Sequence, residues 1–297
     1  MKLEDIIPGE RIRYNEPMKS HTTFRIGGPA DILVLPESVE EIAGVIAWAR
    51  DRGLPYLVIG GGSNILVWDG GIRGLVIKLG SGFARVEIHE NMVRAQAGIM
   101  VSRLAVIAAE NGLSGLEFSE GIPGSLGGAV YMNAGAYGGQ FSDVVTEATV
   151  LTGSGEISRL GQADLAFGYR SSSIQENGHI VLEAVMRLEP QEPHLIKEKM
   201  QKISQERKAK QPLNCPSAGS AFKRPPGRFV GPMIEQLGLK GHRVGDAEVS
   251  TKHAGFIINR GQASARDVLD LVAFIKQRVK EEFGVDLETE FLVLGED

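Results

Sequence analysis

The chain has 297 residues, 42% hydrophobic and 23% charged, which suits two or three globular domains and excludes a disordered chain. A net charge of −5 leaves no global positive field to favour nucleic acid or anionic lipid. Cys215 is the only cysteine, which excludes an internal disulfide and a CxxC metal site.

Residues 30–35 read as a strand stopped by Pro36. Ser38 and Glu41 then form a capping box for a helix whose apolar face is Ile42, Val45, Ile46 and Ala49 and which ends at Gly53. A strand at 54–59 completes a β-α-β unit, followed by the loop Gly60-Gly61-Gly62-Ser63-Asn64, the apolar run 65–67 and a strand at 75–79. Residues 86–88 and 92–97 form a hairpin turning at Glu90-Asn91. The next helix runs to about Asn111, with Leu104, Ile107 and Ala108 inward and Gly112 at its end. After a long glycine-rich stretch, strands return at 147–151, 156–160 and 180–188, and Pro190 and Pro193 mark a boundary. Leu195, Ile196, Met200 and Ile203 stripe a helix ending in the basic run Arg207-Lys208-Ala209-Lys210. A helix at 265–283 and a strand at 287–294 close the chain. The organisation expected is α+β, with units at 1–80 and 81–190 and a separate α/β domain at 191–297. The acidic opening Met1-Lys2-Leu3-Glu4-Asp5 lacks a signal-peptide core, and no apolar run reaches bilayer length. A cytoplasmic protein without membrane insertion is therefore expected.

The 38 glycines exceed the usual ~7% and are clustered, which in a globular chain means backbone placed close to something. Gly60–Asn64 offers backbone N–H groups at a strand end, with Ser63 and Asn64 as side-chain donors. Ile65 stands where a Rossmann fingerprint needs glycine, and no Gly-Lys dipeptide makes a Walker loop. Alone, the loop reads equally well as a turn packed under its own strand. A second glycine-rich loop, Gly121-Ile122-Pro123-Gly124-Ser125-Leu126-Gly127-Gly128, favours two loops clasping a pyrophosphate. In Gly219-Ser220-Ala221-Phe222-Lys223-Arg224, small residues expose the Ser220 hydroxyl beside two cations. No Gly-x-Ser-x-Gly elbow is present, so the segment taken alone is better read as a capped turn with solvated basic residues.

Six motifs, Thr22–Ala30, Gly60–Asn64, Gly121–Gly128, Tyr169-Arg170-Ser171, Gly219–Lys223 and Leu287-Glu288-Thr289-Glu290, stand in one order across nearly the whole chain. In that order and spacing the chain resembles the UDP-N-acetylenolpyruvoylglucosamine reductase family of flavoenzymes. The resemblance implies a two-part FAD-binding region of the vanillyl-alcohol-oxidase (PCMH-like) type, followed by a C-terminal α/β substrate-binding domain. It implies non-covalent FAD held by Gly60, Gly61, Gly62, Ser63, Asn64, Gly121, Pro123, Gly124, Ser125, Gly127 and Gly128. NADPH is the implied hydride donor, and the implied reaction reduces the enolpyruvyl group of a UDP-sugar to UDP-N-acetylmuramate for peptidoglycan. Arg170, Ser220 and Glu290 match the family's catalytic residues, and Lys223, Arg224 and His253 fall at substrate-binding positions. His253 reads equally as a satisfied histidine at a strand edge, and Arg224 departs from the asparagine of some members. Only 50 positions separate Arg170 from Ser220, leaving no room for the tyrosine-bearing insertion of one subclass. The chain thus resembles the shorter, type II form, in which Tyr137 does not replace the missing tyrosine. A monomer without a metal site is expected. An electron-transfer subunit and an oxygen-using flavin oxidase share such an FAD fold and remain as alternatives.

Overall fold

The computed structural model describes residues 2–297. Its contacts divide the chain into two compact units, one of residues up to 13, 32–61 and 74–206, the other of 14–31, 62–73 and 207–297.

In the first unit, the strand Tyr56–Ile59 pairs in parallel with residues 75–78 of the strand Ile72–Lys78. Ser38 caps the helix Val39–Asp51 by accepting from the Glu41 N–H at 3.2 Å. The Glu41 carboxylate accepts the Glu37 N–H and pairs with Arg11. Its pKa lies below the ordinary range: burial pushes it up, but these bonds outweigh that. A five-stranded antiparallel sheet follows, in the order Ile157–Gly161, Val145–Leu151, Ile180–Arg187, Met92–Gln96, Val86–His89. Glu90, at φ +54°, makes the hairpin turn. One hydrophobic core gathers Ile42, Ile46, Leu75, Leu104, Leu126, Ala184 and Met186.

Two expectations change here. In the helix Val101–Glu110, Ile107 is only half-buried, and Ala105 and Ala109 join Leu104 and Ala108 inside. Leu195 is 44% exposed on the helix Pro193–Lys210, where Ile196 and Met200 face the first core.

The second unit has its own core of Phe24, Leu66, Phe222, Ile234, Val268, Leu271, Ile275 and Phe291. Ser264 and Asp267 close a reciprocal capping box on the helix Ala265–Phe283, and Gly284 ends it in the left-handed conformation. Strands Arg243–Val244, Ala247–Val249 and Ile257–Asn259 form an antiparallel sheet, and the short helix Val230–Gln236 precedes them. The strand expected at 287–294 is reduced to Leu292–Leu294, which pairs in parallel with Ile65–Val67.

The unit boundary falls after Glu206 rather than at Pro190. Pro193 opens the expected helix, Pro193–Lys210, which buries its first half in the first core. Residues 62–73 join the C-terminal third through the Ile65–Val67 pairing. Among the described residues, no helix is long and apolar enough to cross a membrane.

Candidate active site

In the first unit, the Gly121–Gly128 loop is anchored by backbone bonds. Val101 N–H donates to Gly124 O (3.0 Å), Leu126 N–H to Ile99 O (2.8 Å) and Gly127 N–H to Ala97 O (2.8 Å). Gly60 and Gly61 lie against it: a Cβ on Gly61 would sit 3.2 Å from Pro123 O, and one on Gly60 would overlap Ser125 Oγ. The two glycine loops therefore touch each other, and glycine is what permits the approach. Ser125 is 2% exposed, and its Oγ has no hydrogen-bond partner among the described residues. Such a hydroxyl is costly to keep unless something accepts from it. Backbone N–H groups, small residues and one unsatisfied hydroxyl suit the phosphates of a dinucleotide, and FAD fits them.

Arg170 also belongs to the first unit. It sits at φ +55° in a tight turn whose ends, Gly168 and Ser171, bond each other at 3.1 and 3.4 Å. Its guanidinium donates to Gly135 O at 3.1 Å and lies 5.2 Å from the Tyr169 ring centroid. Below the turn, the Ser172 hydroxyl donates to Tyr131 O (2.8 Å), and the Gln175 amide donates to Tyr131 O (2.7 Å) and Arg170 O (3.3 Å). Tyr131 ends the short helix that Ser125 begins, so one rigid path joins the glycine loop to the arginine turn.

In the second unit, residues 220–223 lie between two other segments. Ser220 bridges Phe256, and Ala221 N–H donates to Gly255 O at 2.8 Å. On the other side, Glu290 N–H donates to Ala221 O (3.0 Å) and Lys223 N–H to Glu288 O (2.9 Å), with a bridge between Phe222 and Thr289. Phe222, Leu287 and Phe291 are buried and anchor both segments, which leaves Ser220 and Glu290 half-buried beside each other's backbone.

Lys223 Nζ pairs with Glu288 at 3.2 Å, and the exposed Arg224 stacks over Phe229 at 4.5 Å. His253 Nδ1 accepts from the Gly255 N–H at 3.1 Å, which puts the neutral ring's proton on Nε2. Burial pushes the His253 imidazole below its usual pKa, so the ring stays neutral through physiological pH. It sits in the turn that carries Gly255 and Phe256, edge-on to Phe256 with centroids 5.0 Å apart.

Gly62, Ser63 and Asn64 group with the second unit. Gly62, at φ +65°, leaves no space for a Cβ against His21 O, and Thr23 N–H donates to Gly62 O at 3.0 Å. The Asn64 amide donates to Glu290 O at 3.1 Å, and Leu292 N–H returns a bond to Asn64 O. Asn64 is thus a partner of the Glu290 peptide, a link across 226 positions that nothing local in the sequence signals. Among the described residues, no group of three or more His, Cys, Asp or Glu could hold a metal ion.

Comparison with known proteins bears directly on this arrangement. Residues 211–294 match the family of the UDP-N-acetylenolpyruvoylglucosamine reductase C-terminal domain, and residues 30–161 match an FAD binding domain family. The UDP-N-acetylenolpyruvoylglucosamine reductase of Syntrophomonas wolfei is 52% identical over 293 residues, covering 99% of this chain and 98% of its own. That of Clostridium tetani is 51% identical, covering 97% and 94%. The crystal structure of the Thermus caldophilus reductase is 39% identical with a TM-score of 0.80, covering 94% of this chain and 97% of that one. Physcomitrella patens BBE-like 1, at 16% identity and a TM-score of 0.51 over 64% of this chain and 45% of its own, shares the fold alone. The α+β class, with an FAD-binding region of the vanillyl-alcohol-oxidase type ahead of a C-terminal domain, is therefore the one observed. With about half its residues identical to reductases that it matches from end to end, and FAD as its cofactor, this chain belongs to the UDP-N-acetylenolpyruvoylglucosamine reductase family of flavin-dependent oxidoreductases.

Proposed function

We propose that the chain uses NADPH to reduce UDP-N-acetylglucosamine enolpyruvate to UDP-N-acetylmuramate, a cytoplasmic step of peptidoglycan synthesis, and acts as a type II monomer. The glycine loops of the first unit supply most of the flavin site, and residues 207–297 supply most of the sugar site. Gly60–Asn64 and Gly121–Gly128 hold the flavin, and Lys223, Arg224 and His253 contact the nucleotide sugar. The supporting observation is the interlocked backbone of 220–223 and 288–290, which presents the Ser220 hydroxyl and the Glu290 carboxyl from neighbouring segments.

Held by the two glycine loops, FAD would supply hydride transfer from the reduced nicotinamide to the terminal carbon of the enolpyruvyl group. Negative charge then builds on the α-carbon and its carboxylate. Arg170 meets that charge, because a guanidinium pairs with a carboxylate through two bonds and never deprotonates. Its strained turn and its contacts with Gly135 and Tyr169 hold the fork in one direction beforehand, so little reorganisation is needed. Ser220 gives its proton to the α-carbon, and Lys223 or Arg224 steadies the alkoxide left behind. Glu290 assists when protonated or through water, since a bare carboxylate would oppose the developing charge. Neutral His253 offers Nε2–H to a polar group of the sugar without adding charge.

Ser220→Ala tests this directly. Bleaching of the flavin by NADPH needs no proton at the sugar, so it should proceed at a near-normal rate. Recolouring on addition of the enolpyruvyl sugar should slow by about 10²-fold or more, the usual contribution of a general acid. Anaerobic stopped-flow absorbance reads each half separately. Equal slowing of both halves would remove Ser220 from the role of proton donor.

A further inference from the structure

We propose that Asn133 is the positioning residue for Arg170, holding the arginine turn in register with the glycine loop that cradles the flavin. This rests on the catalytic reading of Arg170 given above. Asn133 is 2% exposed and adopts φ +42°, a left-handed conformation that Asn, Asp and Gly tolerate best. It sits at the corner that ends the short helix Leu126–Tyr131, where Asn133 N–H donates to Val130 O (3.2 Å) and Ala134 N–H to Ala129 O (2.8 Å).

From that corner, both ends of the Asn133 side chain are used. Its Nδ2 donates to Gly168 O at 3.0 Å, the first carbonyl of the turn carrying Tyr169 and Arg170. Its Oδ1 accepts from the Ser142 N–H at 2.9 Å, which fixes the orientation of the amide. Two residues further along the same corner, Gly135 O accepts from the Arg170 guanidinium at 3.1 Å. The corner 133–135 therefore grips the arginine turn at its base and at the tip of its side chain. The turn's own bond to that first carbonyl, from Ser171 N–H, is the longer at 3.4 Å. Asn133 thus supplies the shorter contact on the carbonyl that sets where Arg170 projects. A buried, fully used amide of this kind specifies one geometry, and a misplacement of about 1 Å at a reacting group costs roughly 10²-fold.

Asn133→Asp and Asn133→Gly are the variants that test this. Aspartate keeps the acceptor for Ser142 N–H but replaces the donor to Gly168 O with an opposing oxygen. Glycine removes both bonds and keeps the left-handed backbone. Bound flavin, thermal midpoint and the two half-reactions are measured for each variant, alone and combined with Arg170→Gln. The expected result is near-parental flavin content and bleaching by NADPH, with recolouring by the enolpyruvyl sugar slowed at least about 10-fold. In the Arg170→Gln background the same changes should cost less than about two-fold, because residues acting through one another are non-additive. An equal penalty in both backgrounds would overturn the proposal. So would loss of flavin, or failure of both variants to fold, either of which makes Asn133 a scaffold residue. Should Arg170→Gln alone leave recolouring unchanged, the catalytic reading of Arg170 falls and this proposal falls with it, a result distinct from additive penalties.

Discussion

Ser125→Ala separates what the glycine loops do for the flavin from what they do for the fold. The Ser125 hydroxyl is buried, without a hydrogen-bond partner among the described residues, at the seam where Gly60 leaves space for it. Burying such a group unsatisfied costs about 1–3 kcal/mol, so flavin-free Ser125→Ala should be as stable as the parent or more stable by about 1 kcal/mol. A bond from that hydroxyl to a charged phosphate contributes about 1.5–3 kcal/mol, so the variant should bind FAD about 10- to 10²-fold more weakly. Urea unfolding of the deflavinated protein reads the first quantity, and titration of the quenching of flavin fluorescence reads the second. Gly60→Ala adds a check on the geometry. Its Cβ would overlap Ser125 Oγ, whereas once that oxygen is gone the next contact is Ser125 Cβ at 3.3 Å. Gly60→Ala should therefore damage the parent far more than it damages Ser125→Ala. Unchanged FAD affinity together with lower flavin-free stability would show that Ser125 is a structural hydroxyl and would refute the cradle.

Two further outcomes follow from the packing of the first unit. Gly61→Val puts a branched side chain where even a Cβ lies 3.2 Å from Pro123 O and 3.3 Å from Ser125 N. Protein purified from that variant should be colourless while the second unit keeps its circular dichroism; normal flavin content would make the loop contact incidental. Glu117, 2% exposed, accepts from Ser114 Oγ (2.6 Å) and Gly115 N–H (2.9 Å) and lies 3.5 Å from Lys199 Nζ. Burial pushes its pKa up, but the hydrogen bonds and Lys199 outweigh burial and hold it below the ordinary carboxylate range. A lowered folded pKa means its stabilisation is complete above the unfolded value near 4.5 and is lost as pH falls through the folded one. Glu117→Gln should therefore flatten the acid limb of the stability curve below about pH 4.5, while an unchanged limb would place that dependence elsewhere.

Much of this was legible in the sequence, for local reasons. The helix Ala265–Phe283 announces itself through Ser264 and Asp267 at one end, Gly284 at the other and an apolar stripe between them. The glycine pairs at 60–61 and 127–128 signal close backbone approach wherever they occur, and Arg170 and Ser220 stand in motifs with fixed neighbours. What escaped is non-local. Asn133 reads as one polar residue in a small-residue run, and its role appears only when Gly168 comes to lie against it. The segment 287–291 has the alternation of a strand, yet only residues 292–294 form one, because the preceding residues run beside 220–223 through isolated bridges and single bonds. Pro190 lies in a short strand, Glu189–Pro190, and Pro193 starts a helix that Ile196 and Met200 commit to the first core, so neither ends a unit.

The central claim is that one flavin on this chain receives hydride from NADPH and delivers it to an enolpyruvyl sugar. Anaerobic absorbance spectroscopy of the purified parent protein tests it most directly. One equivalent of NADPH should bleach the flavin band, and UDP-N-acetylglucosamine enolpyruvate should then restore it, with one UDP-N-acetylmuramate formed per NADPH consumed. A protein that carries no flavin even after reconstitution, or one whose bleached band returns only when oxygen is admitted, would contradict the account.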